Sequence, residues 1–177
     1  MSSRVGRYPG TEITAQESRA GTYLITKHTA DLKYAWRTGQ AISRFLGGLR
    51  DGELWGRTCR RCRRTMVPPR MYCEVCFRPT DVWVKLRDTG RVLTYSISYV
   101  NADASRREGE EPILVAVIEI DGATPMMGVL HLLGEVDPHD VSVGMKVEAV
   151  WRPKRERQGA ITDIRYFRPS RGGPPKE

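Results

Sequence analysis

Apolar and polar residues alternate in short runs through the C-terminal half of the chain. These runs predict strands at 82–86, 91–100, 113–120, 126–133, 146–151 and 161–167. Tight turns are predicted at Asp88-Thr89-Gly90, Asp121-Gly122 and Val143-Gly144. If the first two runs form one long bent strand, five strands remain, and no connection is long enough for a crossover helix. The pattern favours a mainly β fold that ends in a five-stranded OB-fold barrel over residues 81–169.

A helical period comes before these strands. The apolar residues at helical spacing are Ile42, Phe45, Leu46 and Leu49. Thr38 is the predicted N-cap and Asp51-Gly52 the predicted stop, so we expect a helical segment over 38–54. The apolar stripe of this helix must be covered either by the rest of the chain or by another subunit.

The two ends of the chain show weaker patterns. Residues 1–37 are interpreted as an N-terminal arm, because 1–20 have no apolar period. Residues 21–37 show short β-type alternations, although a helix over 31–37 fits as well. The glycine- and proline-rich segment at 170–177 is predicted to be a disordered tail.

Four cysteines form two C-x2-C pairs separated by ten residues, at Cys59, Cys62, Cys73 and Cys76. Each pair predicts a knuckle, and two knuckles complete a tetrahedral site of the rubredoxin-like zinc-ribbon kind over residues 55–80. Four thiolates leave no open coordination position, so we expect one structural Zn²⁺ on which this small module depends. A redox dithiol and an iron–sulfur cluster are the alternatives.

The composition indicates a folded protein with 40% hydrophobic and 28% charged residues. No apolar stretch reaches a membrane-spanning length, and the first residues lack the apolar core of a signal peptide, so we expect a cytoplasmic protein with reduced cysteines. The net charge of +8 suits a polyanionic partner, either nucleic acid or the phosphates of a cofactor such as coenzyme A. A genomic base composition that favours arginine in place of lysine is an alternative explanation that requires no ligand.

Two groups of residues are candidates for phosphate or coenzyme A contacts. The first consists of Arg60, Arg61, Arg63 and Arg64 in the cysteine module, and the second of Trp151, Arg152, Lys154 and Arg155. The arginines either bind phosphate or offset the net charge of about −2 on a zinc tetrathiolate. The tryptophan either stacks on an adenine or forms part of the barrel wall.

The chain also resembles a known family. The segments LGGLRDGELWGRTCRRC, VPPRMYCEVC and AVWRPKRERQGAITDIRYFRP carry this resemblance. They are similar to a family of zinc-ribbon plus OB-fold accessory proteins, long catalogued as a domain of unknown function. Members typically accompany thiolase-like enzymes, and in some cases hot-dog hydratases, in acyl-CoA and lipid metabolism. The resemblance implies a non-catalytic subunit that bridges the enzyme or helps to hold an acyl-CoA. This chain departs from the family pattern at Arg63, where a glycine is common, so we expect slight backbone strain at this residue.

The sequence offers no persuasive catalytic set. Its three histidines, His28, His131 and His139, lie in unrelated segments. The cysteines are assigned to zinc, and Glu119, Asp121 and Asp163 lie at predicted strand ends and turns, where carboxylates are usually solvated. We therefore predict an accessory subunit of an acyl-CoA enzyme. The alternative is a single-stranded nucleic-acid-binding protein, because that class also combines ribbons, OB barrels and positive charge.

Overall fold

The computed structural model describes residues 14–21, 35, 37–101, 105–107, 109 and 111–170. Contacts divide the chain into two units, Met1–Trp36 and Arg37–Glu177. The alternations predicted at 21–37 lie mostly outside the described residues, and the tail beyond residue 170 lies wholly outside them.

The first unit contains helix α1, Ala15–Arg19. Thr14 accepts a hydrogen bond from the Glu17 N–H at 3.2 Å, and the Glu17 carboxylate accepts one from the Thr14 N–H at 2.9 Å. This reciprocal capping box holds the short helix. This helix lies in the segment interpreted as an N-terminal arm, and the spacing of Thr14 and Glu17 is the sequence signal for it.

Helix α2, Gly39–Asp51, opens the second unit. Thr38 precedes it as predicted, but its hydroxyl lies 2.7 Å from the Ser43 hydroxyl and caps no backbone N–H. The predicted stop is confirmed, because Gly52 adopts a left-handed conformation with φ 81° and the Glu53 N–H donates to the Gly48 carbonyl at 2.8 Å. Phe45 and Leu49 are buried in the core, so the chain itself covers the stripe.

A three-stranded antiparallel sheet follows α2. Its strands are β1 (Leu54–Cys59), β2 (Arg64–Met66) and β3 (Val82–Leu86), in the order β2-β1-β3. β3 pairs with β1 over five residues, from Leu54↔Leu86 to Thr58↔Val82. The suggestion that 82–86 continues into the next run as one bent strand is therefore wrong, because β3 satisfies its backbone hydrogen bonds in a different sheet.

Five further strands form the second sheet. They are β4 (Thr89–Ser98), β5 (Ile113–Ile120), β6 (Gly128–Leu132), β7 (Lys146–Trp151) and β8 (Ile164–Pro169), in the order β6-β5-β4-β7-β8. Its two edges meet where Leu133 forms a parallel bridge with Phe167 and the Gly134 N–H donates to the Phe167 carbonyl at 2.9 Å. The mainly β prediction and the count of five strands are confirmed.

Two glycines border β5 where neighbouring backbone comes too close for a side chain. A Cβ atom at Gly90 would collide with the Glu119 carbonyl, and one at Gly128 with the Ile118 carbonyl. The turn predicted at Asp88-Thr89-Gly90 is therefore wrong, since Thr89 and Gly90 begin β4. The turns at Gly122 and Gly144 are confirmed by their φ angles of 93° and 86°.

One hydrophobic core serves α2, both sheets and the connections between them. Leu54, Val67 and Leu86 of the first sheet region belong to the same buried cluster as Ile118 and Phe167 of the second. The ribbon and the barrel are therefore joined by shared apolar burial. Among the described residues, no helix has the length and apolar character that crossing a bilayer requires.

Candidate metal centre and neighbouring surfaces

The four cysteines lie at the end of the first sheet, on two similar turns. Cys59 ends β1 and Cys62 lies in the turn before β2, while Cys73 and Cys76 lie in the loop before β3. The Cys59 sulfur accepts the backbone N–H groups of Arg61 and Cys62, and the Cys73 sulfur accepts those of Val75 and Cys76. Each C-x2-C pair therefore forms a knuckle in which backbone donors support the first thiolate.

The residue after each pair adopts a left-handed backbone. Arg63 has φ 53° and Phe77 has φ 55°. This conformation reverses the chain, and in the second knuckle the Phe77 N–H donates to the Cys73 carbonyl at 2.9 Å. Side chains other than glycine rarely adopt such angles. The strain expected at Arg63 is present, and the second knuckle carries an equivalent strain at Phe77.

The four sulfur atoms form one cluster. All four Sγ atoms lie within 4.8 Å of one another, and Cys59 Sγ and Cys76 Sγ are 3.6 Å apart. Zinc bound to thiolates at about 2.3 Å places neighbouring sulfurs about 3.8 Å apart, whereas a disulfide requires about 2.05 Å. Cys59 and Cys73 are buried. The residues present therefore fit a closed four-thiolate metal site, and the ribbon positions four cysteines to bind one metal ion.

The pKa values of the clustered thiols shift in opposite directions. Hydrogen bonding to the Cys76 thiol and burial raise the pKa of Cys62 to about 12. Backbone donors from Cys76 and Val75 lower the pKa of Cys73 to about 7. At Cys59 the Cys62 N–H lowers the pKa, but burial and the neighbouring thiols outweigh it and the net direction is upward. A bound divalent cation supplies the positive charge that lets all four groups ionise together.

An ion pair joins the two knuckles. Arg64 Nη2 lies 3.0 Å from Glu74 Oε1, and its Nε lies 3.2 Å from the same oxygen. Burial raises the pKa of Glu74, but its own backbone N–H and the Arg64 guanidinium outweigh this and leave the pKa lowered. Arg64, predicted as a phosphate contact, is thus paired within the ribbon. The side chains of the other predicted ribbon residues, Arg60, Arg61 and Arg63, are exposed.

The ribbon is attached to the barrel beside this ion pair. The Thr65 N–H donates to the Thr124 hydroxyl at 2.8 Å, and the Thr124 N–H donates back to the Thr65 carbonyl at 2.9 Å. Met127, which follows in the same hairpin, packs against both the cysteine cluster and the main core. Hydrogen bonds and side-chain packing therefore join the metal centre to the β5–β6 connection.

A stack of arginine and tryptophan side chains covers the junction of α2 with the first sheet. The Arg44 guanidinium on α2 lies over both tryptophans, 4.7 Å from the Trp55 ring centroid and 4.6 Å from that of Trp83. Arg57 covers the Trp83 ring at 4.8 Å. Such cation–π contacts tie the helix to the sheet. Sequence reasoning missed this stack, although the alternation of Trp55 and Arg57 along β1 was a signal for it.

The second predicted binding group lies at the end of β7. Trp151 Nε1 donates to Asp88 Oδ2 at 3.0 Å, and the Arg157 guanidinium lies 5.3 Å from its ring centroid. Arg152 Nε donates to the Thr162 carbonyl at 2.7 Å. Lys154 and Arg155 are exposed on the following 3-10 turn. In the described ranges, no hydrogen bond, ion pair or ring contact joins this group to the ribbon arginines.

An apolar groove of about 310 Å³ lies between β6 and the start of β8. The residues that define its character are Leu130, Leu132, Ile161, Ile164, Arg152 and Arg165. Leu130 is 66% exposed, which is unusual for a strand leucine. Of the predicted binding residues, Arg152 lines this groove, and the apolar residues around it were not identified from sequence.

The histidines and carboxylates considered as catalytic candidates lie in separate parts of the described structure. His131 Nε2 lies 3.2 Å from the Ile161 carbonyl, and His139 lies on the one-turn helix Pro138–Asp140. Glu119 pairs with Arg91 at 3.2 Å, and Asp121 accepts the Thr89 hydroxyl at 2.7 Å. Within the described ranges, no histidine ring hydrogen-bonds a carboxylate or a thiol, and His28 lies outside them.

Comparison with known proteins identifies the family. Residues 47–82 match the ChsH2 rubredoxin-like zinc ribbon domain, and residues 83–152 match the ChsH2 C-terminal OB-fold domain. A DUF35 domain-containing scaffold protein of Methanocaldococcus jannaschii is 34% identical over 119 residues, which cover 66% of this chain and 81% of the relative. The chain belongs to the DUF35 family. The resemblance, the zinc ribbon and the OB fold predicted from the sequence are confirmed.

Further DUF35 relatives align over a similar share of the chain at lower identity. A scaffold protein of Methanothermobacter thermautotrophicus is 28% identical over 120 residues, covering 66% of this chain and 86% of the relative. A DUF35-family structure of unknown function from Sulfolobus solfataricus aligns with a TM-score of 0.51 and 28% identity, over 64% of this chain and 77% of that one. The Ltp2-ChsH2(DUF35) aldolase aligns with a TM-score of 0.54 and 20% identity, over 76% and 98%, and this likeness concerns the fold.

Proposed function

We propose that this chain is a non-catalytic zinc-binding subunit that associates with a thiolase-like acyl-CoA acyltransferase or aldolase and supports acyl-CoA binding or assembly. The observation that carries this proposal is the match to curated relatives named scaffold proteins, one of which the chain covers over 81% of its length. A scaffold acts by holding other components in position, and chemistry of its own is not required for that role.

The metal centre supports the non-catalytic part of the proposal. A zinc ion held by four thiolates has no position for water or substrate, so it stabilises structure and activates no nucleophile. Binding by all four cysteines also leaves the chain without a free thiol for acyl transfer.

The nature of the partner is inferred from similarity. One fold neighbour is described as the Ltp2-ChsH2(DUF35) aldolase, in which a DUF35 component is named together with an aldolase. The resemblance seen in the sequence points to the same class of enzyme, with a hot-dog hydratase as the other candidate partner.

The groove beside β6 supports the acyl-CoA part of the proposal. Its floor is apolar, and it is bordered by Arg152 and Arg165. An acyl or pantetheine chain would bury apolar surface there, and a phosphate would meet a guanidinium. The exposed ribbon arginines at 60, 61 and 63 are a second candidate set for phosphate.

Co-purification tests the association. Tagged full-length chain is recovered from nuclease-treated extract at moderate salt, and the proteins that accompany it are identified by mass spectrometry. We expect a thiolase-like enzyme or a hydratase in near-stoichiometric amount. If repeated preparations contain neither enzyme, the proposal is wrong.

Titration with coenzyme A thioesters tests the ligand. Calorimetry compares the wild type with Arg152→Ala and Leu130→Ser, alone and in complex with the recovered enzyme. Arg87→Ala is the matched control, because Arg87 is exposed and lies in neither candidate group nor in the lining of the groove. We expect weaker binding in the two groove variants and no change in the control. Equal affinity in all four proteins would remove the groove from the proposal.

The net charge of +8 favours one alternative, a single-stranded nucleic-acid-binding protein. That function predicts binding of oligonucleotides whose affinity falls steeply with salt. Recovery of RNA or DNA from untreated extract, together with the absence of any enzyme, would favour it over the scaffold.

A further inference from the structure

The second knuckle exposes three apolar side chains. Tyr72 is 62% exposed, Val75 57% and Phe77 81%. We name these residues the knuckle tip. They lie on a hairpin of residues 72–79, which is closed by pairing of Tyr72 with Pro79 and by the Cys73 N–H donating to the Arg78 carbonyl at 2.9 Å. The tip residues thus share one short turn that is closed by backbone pairing.

The fold of the ribbon does not require these side chains. The buried cluster at the metal centre consists of Cys59, Met66 and Cys73, with Cys62, Cys76 and Met127 packed against it. No member of the knuckle tip belongs to this cluster or to the main core. Several apolar side chains left in water on one turn indicate a surface that another molecule covers.

Phe77 is also unfavourable for the backbone that carries it. Its φ of 55° lies in the left-handed region, where a bulky side chain is a conformational outlier. A glycine would remove both the strain and the exposed ring. Phe77 thus lowers the stability of the chain through its backbone strain and its exposed ring, and it packs in neither core. We therefore expect its side chain to contact another molecule.

The surroundings of the knuckle tip are strongly basic. The exposed arginines of the ribbon are Arg60, Arg61, Arg63, Arg70 and Arg78. Residues 55–81 contain only two acidic groups, of which Glu74 pairs with Arg64 and Asp81 accepts the Arg60 backbone N–H at 3.0 Å. Within the part of the chain that the structure describes, no ion pair involves Arg61, Arg63 or Arg78. A partner surface with carboxylates complements this arrangement.

We infer that the knuckle tip is a docking element that inserts into an apolar pocket with an acidic rim on the partner enzyme. This inference rests on the proposed function and names the surface through which the association occurs. Val75 favours a protein pocket over nucleic acid, because an aliphatic side chain between two aromatic ones offers no face for base stacking. Buried aromatic anchors dominate the affinity of such interfaces.

The test uses the enzyme subunit identified by co-purification, purified separately. Its affinity is measured for the full-length wild type, for Phe77→Gly and for the control Val143→Ser, which changes another exposed apolar residue in the turn before β7. We expect Phe77→Gly to bind at least about tenfold more weakly, and Val143→Ser to bind like the wild type. Phe77→Gly should retain its zinc and melt at or above the wild-type temperature, which separates lost docking from lost folding.

Charge reversal tests the rim. Arg78→Glu should slow association with the same enzyme at low salt, and the difference from wild type should shrink as salt is raised. A photo-reactive phenylalanine analogue at position 77 should cross-link to the enzyme, in peptides that contain apolar and acidic residues.

Three results would overturn the inference. Phe77→Gly binding within about twofold of wild type would remove the knuckle tip from the interface while leaving the proposed function intact. Cross-links only to a second copy of this chain, or only to nucleic acid, would assign the surface to another partner. If the wild type binds no acyl-CoA enzyme at all, the proposed function fails and the docking inference fails with it.

Discussion

At the scale of single residues, Asp163 organises the segment that leads into β8. It is 1% exposed, and its carboxylate accepts backbone N–H groups from Gln158 at 2.9 Å, Gly159 at 2.7 Å and Ala160 at 3.1 Å. Burial raises the pKa of Asp163, but these three donors and the nearby Arg157 outweigh it, so the pKa is held below the ordinary value of an aspartate. A carboxylate predicted to be solvated is instead a buried cap.

Replacing Asp163 with asparagine is expected to destabilise the fold. At neutral pH the loss should be about 1–3 kcal/mol, because one oxygen acceptor becomes a donor facing backbone N–H groups. The wild-type advantage should be present above the ordinary aspartate pKa of about 3.9 and disappear as the pH falls through the lowered pKa of the folded state. Urea unfolding of wild type, Asp163→Asn and the exposed control Asp140→Asn across this pH range checks it. A difference that grows on acidification would contradict the assignment.

Replacing Arg63 with glycine is expected to stabilise the fold. Arg63→Gly should raise the free energy of unfolding by roughly 0.5–1 kcal/mol, since relief of the strain at φ 53° is partly offset by the greater freedom of glycine in the unfolded chain. Thermal melting with zinc bound and metal analysis of both proteins measure the change. Gly47→Ala, within α2 at a position where an added methyl group would meet open space, is a reference for ordinary helix propensity. A lower melting temperature for Arg63→Gly would argue that the guanidinium itself stabilises the site.

At the scale of elements, α2 is held by its buried stripe and by the arginine–tryptophan stack. Phe45 is 3% exposed and belongs to the main core, whereas Ile42 on the same stripe is only partly buried. Arg44, on the outer side, lies over both Trp55 and Trp83. The helix therefore acts as a cover over the junction of ribbon and barrel.

The contribution of α2 can be measured with two alanine substitutions. Phe45→Ala should cost about 3–5 kcal/mol because it leaves a cavity in the shared core. Ile42→Ala, the matched control, should cost clearly less since part of its side chain is already in water. Denaturant unfolding gives both values. Equal costs would mean that the stripe is covered more evenly than the structure indicates.

At the scale of the whole molecule, the metal centre and the barrel are coupled. Val67 and Leu86 lie in the main core, Met127 touches both clusters, and Thr65 exchanges hydrogen bonds with Thr124. Unfolding of the ribbon would therefore expose barrel core to water. Independent survival of the barrel is not expected from these contacts.

Cys73→Ser tests this coupling. The variant should lose its zinc, and its thermal transition should shift downward as one cooperative event, because ribbon and barrel share a core. Metal analysis and calorimetry measure both effects. Met66→Leu, which keeps an apolar residue of similar size beside the cysteines, should retain one zinc per chain. A Cys73→Ser protein that keeps one zinc would contradict the four-thiolate site, and an unchanged barrel transition would contradict the coupling.

Local spacing made much of the fold and of the metal site predictable. Two C-x2-C pairs bring their thiolates together whatever surrounds them, because the knuckle is built from consecutive residues. The same applies to the alternation of β5 and to the stop of α2 at Gly52, where one residue supplies the left-handed turn. The sequence by itself therefore determined the ribbon, the alternating strand β5 and the helix end.

Tertiary structure decided the features that depend on distant partners. β3 joins β1 and not β4, Arg64 pairs with Glu74, and Thr89 and Gly90 begin β4 where the Glu119 backbone lies against Gly90. The groove beside β6 exists only because β6 and β8 are brought together by the closing sheet. Such pairings result from competition for backbone hydrogen bonds and buried area across the whole chain, and no short window of residues contains that information.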